Sequence, residues 1–329
     1  MKRNFLFLLT ITIVSGFAVS TVSAQSSVKL SGSLFSDYVY VFSSPDGAHD
    51  GENSFDLRRV NFSADFVISD QFDGRLRLEA VDATVTNSGK QAAFIKDMYV
   101  RWKNVWGKDH NVMFGISRPP LWAVSEKHWG YRGLDRTIMA ANKHASSRDL
   151  GVAVNGPMTA DGSIKYAFMF ANNSGGKQET DKFKRLYGQL EFNPTEKWVA
   201  SLGGDYYAFE GGTSVAGNAF VGYKFDHAKL GVEGFIAPKH FDTPDDDDTL
   251  LGVSVFGSYD LSETSRLIGR FDSLDRNEFG DSTAKNWFIA GYSWMPNKGI
   301  EIIPNLIYNK LDTDNDPTMT GRLTVLASF

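Results

Sequence analysis

An all-β fold, a transmembrane antiparallel β-barrel of about sixteen strands, is what this 329-residue sequence predicts, on three observations. First, apolar residues are dispersed in period-two alternation, and beyond the first two dozen residues no apolar run approaches the ~20 residues of a membrane helix. Second, the connections between alternating stretches are short and long in turn. Third, the sequence finishes on RLTVLASF, where Leu323, Val325, Ala327 and Phe329 share one parity and Arg322, Thr324, Leu326 and Ser328 the other. Such alternation gives a strand two unlike faces. A final Phe suits a strand whose apolar face meets lipid, because chain ends in water usually fray.

Residues 1–24 read as a signal peptide. Lys2 and Arg3 form its charged start, Phe5 to Val19 its apolar run, and Val22-Ser23-Ala24 the small residues before a cut at Gln25. An uncleaved anchor is the alternative, but fifteen apolar residues are too few to span a bilayer. Removal leaves 25–329 as one barrel domain of 305 residues, and loss of the two basic residues takes the formal charge from −5 to −7. That acidity argues against nucleic acid as a partner. An exported chain without cysteine has no disulfide framework and no thiolate chemistry.

Strands are expected over 28–41, 54–68, 73–86, 91–104, 109–117, 148–156, 162–171 and 182–192. The second half continues with 197–208, 214–225, 228–236, 249–259, 264–272, 286–295, 300–309 and 319–329. Turn chemistry fills SDQFD, NPTEK, DHAK, LSET and MPNKG, whereas SSPDGAHDGEN, APKHFDTPDDDD, DSLDRNEFGDSTA and KLDTDNDPT read as long polar loops. Tight periplasmic turns and long external loops are the habit of outer-membrane barrels, and an even strand count returns the chain to the periplasm.

Faces are legible in places. Val60, Phe62, Ala64 and Phe66 oppose Asn61, Ser63 and Asp65; Leu76, Leu78 and Ala80 oppose Arg75, Arg77 and Glu79; Met98, Val100 and Trp102 oppose Asp97, Tyr99 and Arg101. A secreted β-sandwich alternates equally well. The strand count, the final Phe and the aromatics near strand ends favour the barrel, with Trp102, Trp198, Trp287 and Trp294 expected in interfacial girdles.

The rhythm breaks once, at 118–147. A loop of this length in a compact protein is functional or disordered. Leu121, Trp122, Trp129, Tyr131, Leu134, Ile138 and Met139 make it too apolar for disorder, so it is expected to fold inward as a constriction loop.

The blocks FDLRRVNF (55–62), IKDMYVRW (95–102), FGISRPPLW (114–122) and SRDLGVAVNG (147–156) resemble, in order and spacing, the phosphate-selective porin O and P family. The resemblance covers roughly 54–156 and rests further on only on barrel rhythm and the final Phe. It implies a homotrimeric outer-membrane porin whose third external loop narrows the pore. No arginine ladder can be matched residue by residue.

From Arg118 to Arg148 the chain holds Arg118, Lys127, Arg132, Arg136, Lys143 and Arg148 against Glu126 and Asp135, an excess of four positive charges. His128 and His144 are expected to add charge in mild acid. One sign of charge at a constriction raises the local counter-ion concentration, and Arg grips oxyanions in bidentate fashion. A second group, Arg59, Arg75, Arg77 and Arg101, falls on the lumen parity of adjacent strands, since Arg facing lipid costs ~2–4 kcal/mol at the midplane. Arg58 falls on the opposite parity and is expected near the rim. Pairing of these arginines with Asp65, Glu79 and Asp97 is the structural alternative.

Asp245–Asp248 lacks the glycine-punctuated spacing of a calcium loop and reads as solvated. Neither HExxH nor GxSxG occurs, so no metal site, cofactor or catalytic residue is assigned and no enzyme is expected. The expected function is passive diffusion of small hydrophilic solutes and ions across an outer membrane, leaning towards phosphate-like or other small anions. An unselective or cation-passing porin, and a non-conducting barrel serving as adhesin or envelope anchor, remain as alternatives.

Overall fold

The computed structural model of the protein describes residues 27–243, 247–278 and 281–329. The expected signal peptide, 1–24, and two positions of the acidic run, 245–246, lie outside the described residues.

Sixteen strands close into one antiparallel barrel in sequence order, β16 pairing back onto β1. They are β1 (Val28–Ser43), β2 (Asn53–Val67), β3 (Phe72–Val85), β4 (Gln91–Trp102), β5 (Asn111–Ser117), β6 (Asp149–Pro157), β7 (Ile164–Ala171) and β8 (Arg185–Phe192). The other half comprises β9 (Trp198–Phe209), β10 (Gly212–Lys224), β11 (Ala228–Phe241), β12 (Asp248–Ser262), β13 (Ser265–Glu278), β14 (Asp281–Asn297), β15 (Ile300–Leu311) and β16 (Thr318–Ser328). Every expected strand is present.

Alternation builds the wall. In β10, Val215, Ala219 and Val221 are exposed outward while Ser214, Ala216, Asn218 and Phe220 are buried inward. Closure pairs the strand edges, so the wall crosses hydrocarbon with its backbone satisfied, and the exposed Leu, Val, Ile and Phe side chains form its lipid-facing belt. Barrels of this type reside in an outer membrane, and so does this one. Trp102, Trp198 and Trp294 point outward at one rim, Trp102 stacking on Phe72 at 5.7 Å and Trp198 meeting Tyr223 at 4.6 Å.

Three expectations are corrected. Trp287 is not in a girdle: it shares the inward parity of buried Ile289, and Phe288 between them is the exposed residue. The stretch DSLDRNEFGDSTA is largely strand and APKHFDTPDDDD is strand as far as Phe241, because β13 continues to Glu278, β14 starts at Asp281 and β11 reaches Phe241. Polar residues there read as loop, yet cross-strand pairing continues past the apolar belt and satisfies the backbone without any apolar face.

Arg58 is the third. Register slips between Phe35 and Ser36: Phe35 opposes Arg59, Ser36 opposes Leu57, and Arg58 is the unpaired extra residue of a β-bulge. Arg58 and Arg59 consequently both turn inward, Arg58 bonding to Asp37 and to the Gly133 carbonyl. A second slip, between Arg77 and Leu78, leaves Lys96 as the extra residue of β4, and Lys96 bonds to Glu79 at 2.8 Å.

Candidate functional site

Between β5 and β6 the chain leaves the wall and enters the lumen, forming α1 (Ala123–Trp129) and α2 (Ile138–Ala141). Pro119 and Pro120 have no N–H to extend the ladder of β5. Helix α1 ends at Gly130, whose φ of 77° suits glycine and whose N–H reaches the Glu126 carbonyl at 3.0 Å. Leu121, Trp122, Ile138 and Met139 bury against Met169, Tyr187 and Phe235, while Val124, Trp129, Tyr131 and Leu134 bury against Phe220, Phe256, Ile268, Ile289 and Ile303. The core of this barrel is the seam between segment and inner wall.

Polar ties fix the seam. Ser125 Oγ donates to Glu233 Oε1 at 2.8 Å, Asn218 Nδ2 to the Leu121 carbonyl at 3.0 Å, and Lys229 Nζ to the Trp129 carbonyl at 3.0 Å. Arg270 holds the Arg136 carbonyl. The His128 ring lies against Gly222, where a Cβ would sit 2.7 Å from it, and Nε2 meets the Leu230 carbonyl at 2.8 Å. On the far side Arg58 Nη2 reaches the Gly133 carbonyl at 2.5 Å. The segment therefore crosses the lumen, with a cavity of about 1280 Å³ on its periplasmic side and one of about 380 Å³ on the other.

Each wall arginine faces a carboxylate: Arg59 Nε lies 3.6 Å from Glu79, Arg75 Nε 2.6 Å from Asp65, Arg77 Nε 3.4 Å from Asp97 and Arg101 Nη2 2.7 Å from Asp73. In the segment, Glu126 takes Arg118 on one oxygen at 2.8 Å and Arg132 on the other. Arg148 shares Asp97 with Arg77. Lys127 is exposed and borders the larger cavity with Arg118; Lys143 is exposed and borders neither. Arg75 and Arg101 lie lower, towards the periplasmic rim, by their places in β3 and β4.

The smaller cavity gathers Arg59, Arg132 and Arg136 and adds Arg58, Lys285 and Arg322. Against these six cations stand Asp82, Asp135 and Asp272. Extending the count to the partners Asp37, Glu79 and Glu126 also brings in Lys96, Arg118 and Arg270, so the excess remains three positive charges. Arg58, Arg132 and Arg136 all lie close enough to Arg59 to repel its charge. Burial pushes the Asp135 carboxyl above its ordinary value, opposed by Arg270, the Arg136 N–H at 2.7 Å and Arg322, and assisted by Asp272.

The histidine expectation is weakened for His128, whose pKa burial lowers, with Lys229 and Lys224 assisting, so it takes up a proton less readily than an ordinary histidine. His144 is tied to Asp205 at 2.8 Å and buried away from either cavity. The sequence carries signals for two further lumen residues. The outward apolar parity changes from Phe55 and Leu57 to Val60 and Phe62, which requires an extra residue at Arg58–Arg59. Arg322 already had the inward parity of its strand. Among the described residues no cluster of His, Asp and Glu is arranged to hold a metal.

No protein-family model matches the chain, and no curated protein matches it. Solved structures match its fold. The chain is similar to the anion-selective porin from Comamonas acidovorans at 14% identity and a TM-score of 0.69, over 92% of this chain and 100% of that one. It is similar to the outer membrane channel DcaP of Acinetobacter baumannii at 13% identity and 0.68, over 92% and 97%. It is similar also to the trimer form of OmpT, an outer membrane protein of Vibrio cholerae, at 11% identity and 0.68, over 92% and 99%. Identities this low carry the fold alone, and that fold is the sixteen-stranded barrel of outer-membrane porins and channels.

Proposed function

We propose that the protein is a passive-diffusion porin for small hydrophilic solutes and ions, with an anion-leaning eyelet where segment 118–147 meets the wall formed by β13, β14, β16 and β1 to β3. The observation that carries this reading is the excess of three positive charges around the smaller cavity, in a chain that is acidic as a whole. A narrow passage lined by one sign of charge raises the local concentration of the opposite ion. The resemblance of residues 54–156 to phosphate-selective porins and the anion-selective porin among its structural neighbours agree with this sign. A homotrimer is proposed on the same resemblance and on the trimer form among those neighbours.

One observation favours a weaker bias. Arg59, Arg75, Arg77 and Arg101 are each ion-paired, and water and salt screen such charges in a wet lumen. Planar-bilayer recording tests both readings. Discrete conductance steps with a zero-current potential of anion sign in a KCl gradient are expected. Steps of cation sign would leave an unselective or cation-passing porin, and absence of steps from correctly folded protein would leave the adhesin or anchor.

A further inference from the structure

Glu126 stands where the two cavities approach each other. It is buried in α1, at 5% exposure, and takes Arg118 Nη2 on Oε1 at 2.8 Å and Arg132 Nη1 on Oε2. Arg118 borders the cavity of about 1280 Å³ and Arg132 the cavity of about 380 Å³. One arginine precedes α1 and the other follows it, and the left-handed turn at Gly130 ends the helix so that the chain doubles back to Glu126. The two guanidiniums are therefore a single carboxylate apart, one on each side of the partition.

Their forks are open. Arg75 closes Nε and Nη2 on Asp65 at 2.6 and 2.9 Å, and Arg101 closes the same two nitrogens on Asp73 at 2.8 and 2.7 Å. Arg118 and Arg132 each meet Glu126 through one nitrogen, and among the described residues neither has a second ion-pair or hydrogen-bond partner. Solvent reaches both side chains, at 35% and 20% exposure, so their remaining N–H donors are available to a solute. Positive charge continues on either side: Arg148 lies close enough to Arg118, and Arg59 close enough to Arg132, for their charges to repel.

We propose that Arg118 and Arg132 are the step by which a small monovalent anion passes between the cavities, and that Glu126 determines the specificity of that step. Glu126 holds the two guanidiniums side by side against their mutual repulsion. As a tethered counter-ion it also competes with each arriving anion for their free donors. The anion is thus held weakly enough to leave, as conduction requires. The proposal rests on the reading of the barrel as an anion-leaning porin and names the residues that set its passage.

Single-channel current of the full-length barrel in planar bilayers, read against KCl concentration, tests this. Glu126→Gln keeps an acceptor for the arginines and removes the competing charge. One unit charge at ~4 Å in water corresponds to about a fivefold change in occupancy, so current in this variant should saturate at roughly fivefold lower KCl. Anion-over-cation permeability should rise by a similar factor. Asp73→Asn makes the same change of charge at the closed pair with Arg101 and should move both quantities by less than about twofold. Glu126→Gln combined with Arg132→Gln restores the wild-type net charge and should nevertheless lose saturation. Arg118→Lys with Arg132→Lys keeps every charge and leaves Glu126 in place, and should raise the saturating concentration roughly threefold because the forks are gone. Equal shifts from Glu126→Gln and Asp73→Asn, or wild-type saturation in either double variant, would show that net charge alone counts and overturn the proposal while leaving an anion-leaning porin standing. Larger, noisier events in Glu126→Gln without earlier saturation would make Glu126 a staple of the segment only, and overturn it as well. Absence of current from correctly folded wild type would sink the porin reading and this step with it.

Discussion

Trp122 is the side chain on which to test what keeps the segment across the lumen. It is 1% exposed and packs in the cluster with Leu121, Ile138, Met139, Tyr187 and Phe235. Truncating a buried Trp to Ala costs roughly 3–5 kcal/mol. The barrel closes through backbone ladders of its own strands, so the loss falls on docking of the segment and not on the wall. At 1.4 kcal/mol per tenfold, Trp122→Ala raises the ratio of undocked to docked segment by a factor between ~10² and a few times ~10³. The second cluster around Trp129 and the ties to Glu233, Lys229 and Arg270 remain, so one end lifts while the other holds. Single-channel recording should then show larger and noisier open events than the wild type. Heat-modifiable mobility should be unchanged. Trp106→Ala, at an exposed residue of the turn between β4 and β5, serves as the control and should alter neither. Wild-type conductance and noise in a correctly folded Trp122→Ala barrel would refute the inference that this cluster holds the constriction.

Deleting Phe329 removes both backbone hydrogen bonds it makes with Gly32, at 3.0 and 3.1 Å, and should lower the yield of heat-modifiable barrel; full-yield assembly would show the seam indifferent to them. Acidification should strengthen anion preference, because burial holds the Asp135 carboxyl above its ordinary pKa, so it is protonated at a higher pH than an ordinary aspartate and leaves the cavity more positive. Asp135→Asn should show the acid-like selectivity throughout, and a flat wild-type profile in zero-current potential would contradict this. Arg75→Gln with Arg77→Gln should shift that potential modestly towards cations at low salt, where a unit charge at ~4 Å is worth about 1 kcal/mol in water. The shift should fade at ~1 M salt, and no shift at low salt would make these arginines partners of Asp65 and Asp97 only.

Fold was more legible than site, for a physical reason. A lipid-facing wall imposes its alternation on every strand, so the ladder in RLTVLASF and the faces of GRLRLEA are visible without any partner. The lumen imposes no such rule. Parity puts Arg75 and Arg77 on the inward face, but their pairing with Asp65 and Asp97 depends on register between strands, which no single strand records. Arg322 and Lys285 lie far from segment 118–147 in sequence and join Arg136 only because closure pairs β16 with β1 and so carries β14, two strands further round, to the same side of the lumen. For Trp287 residue type suggests a girdle, whereas its parity with Ile289 points inward, and parity decides.

The bulge at Arg58–Arg59 makes insertion and deletion unequal to substitution. Above it Phe55 and Leu57 face outward, at 86% and 40% exposure; below it Val60 and Phe62 do. Exchanging either arginine changes one charge. Removing its codon instead shifts the phase of the strand, turning Phe55 and Leu57 towards water and Ser54 and Asp56 towards lipid. The same holds where Lys96 precedes Asp97. A deep mutational scan of substitutions would thus map these positions by their effect on ion traffic, whereas a scan of single-codon deletions would find them among the sites where assembly itself is lost.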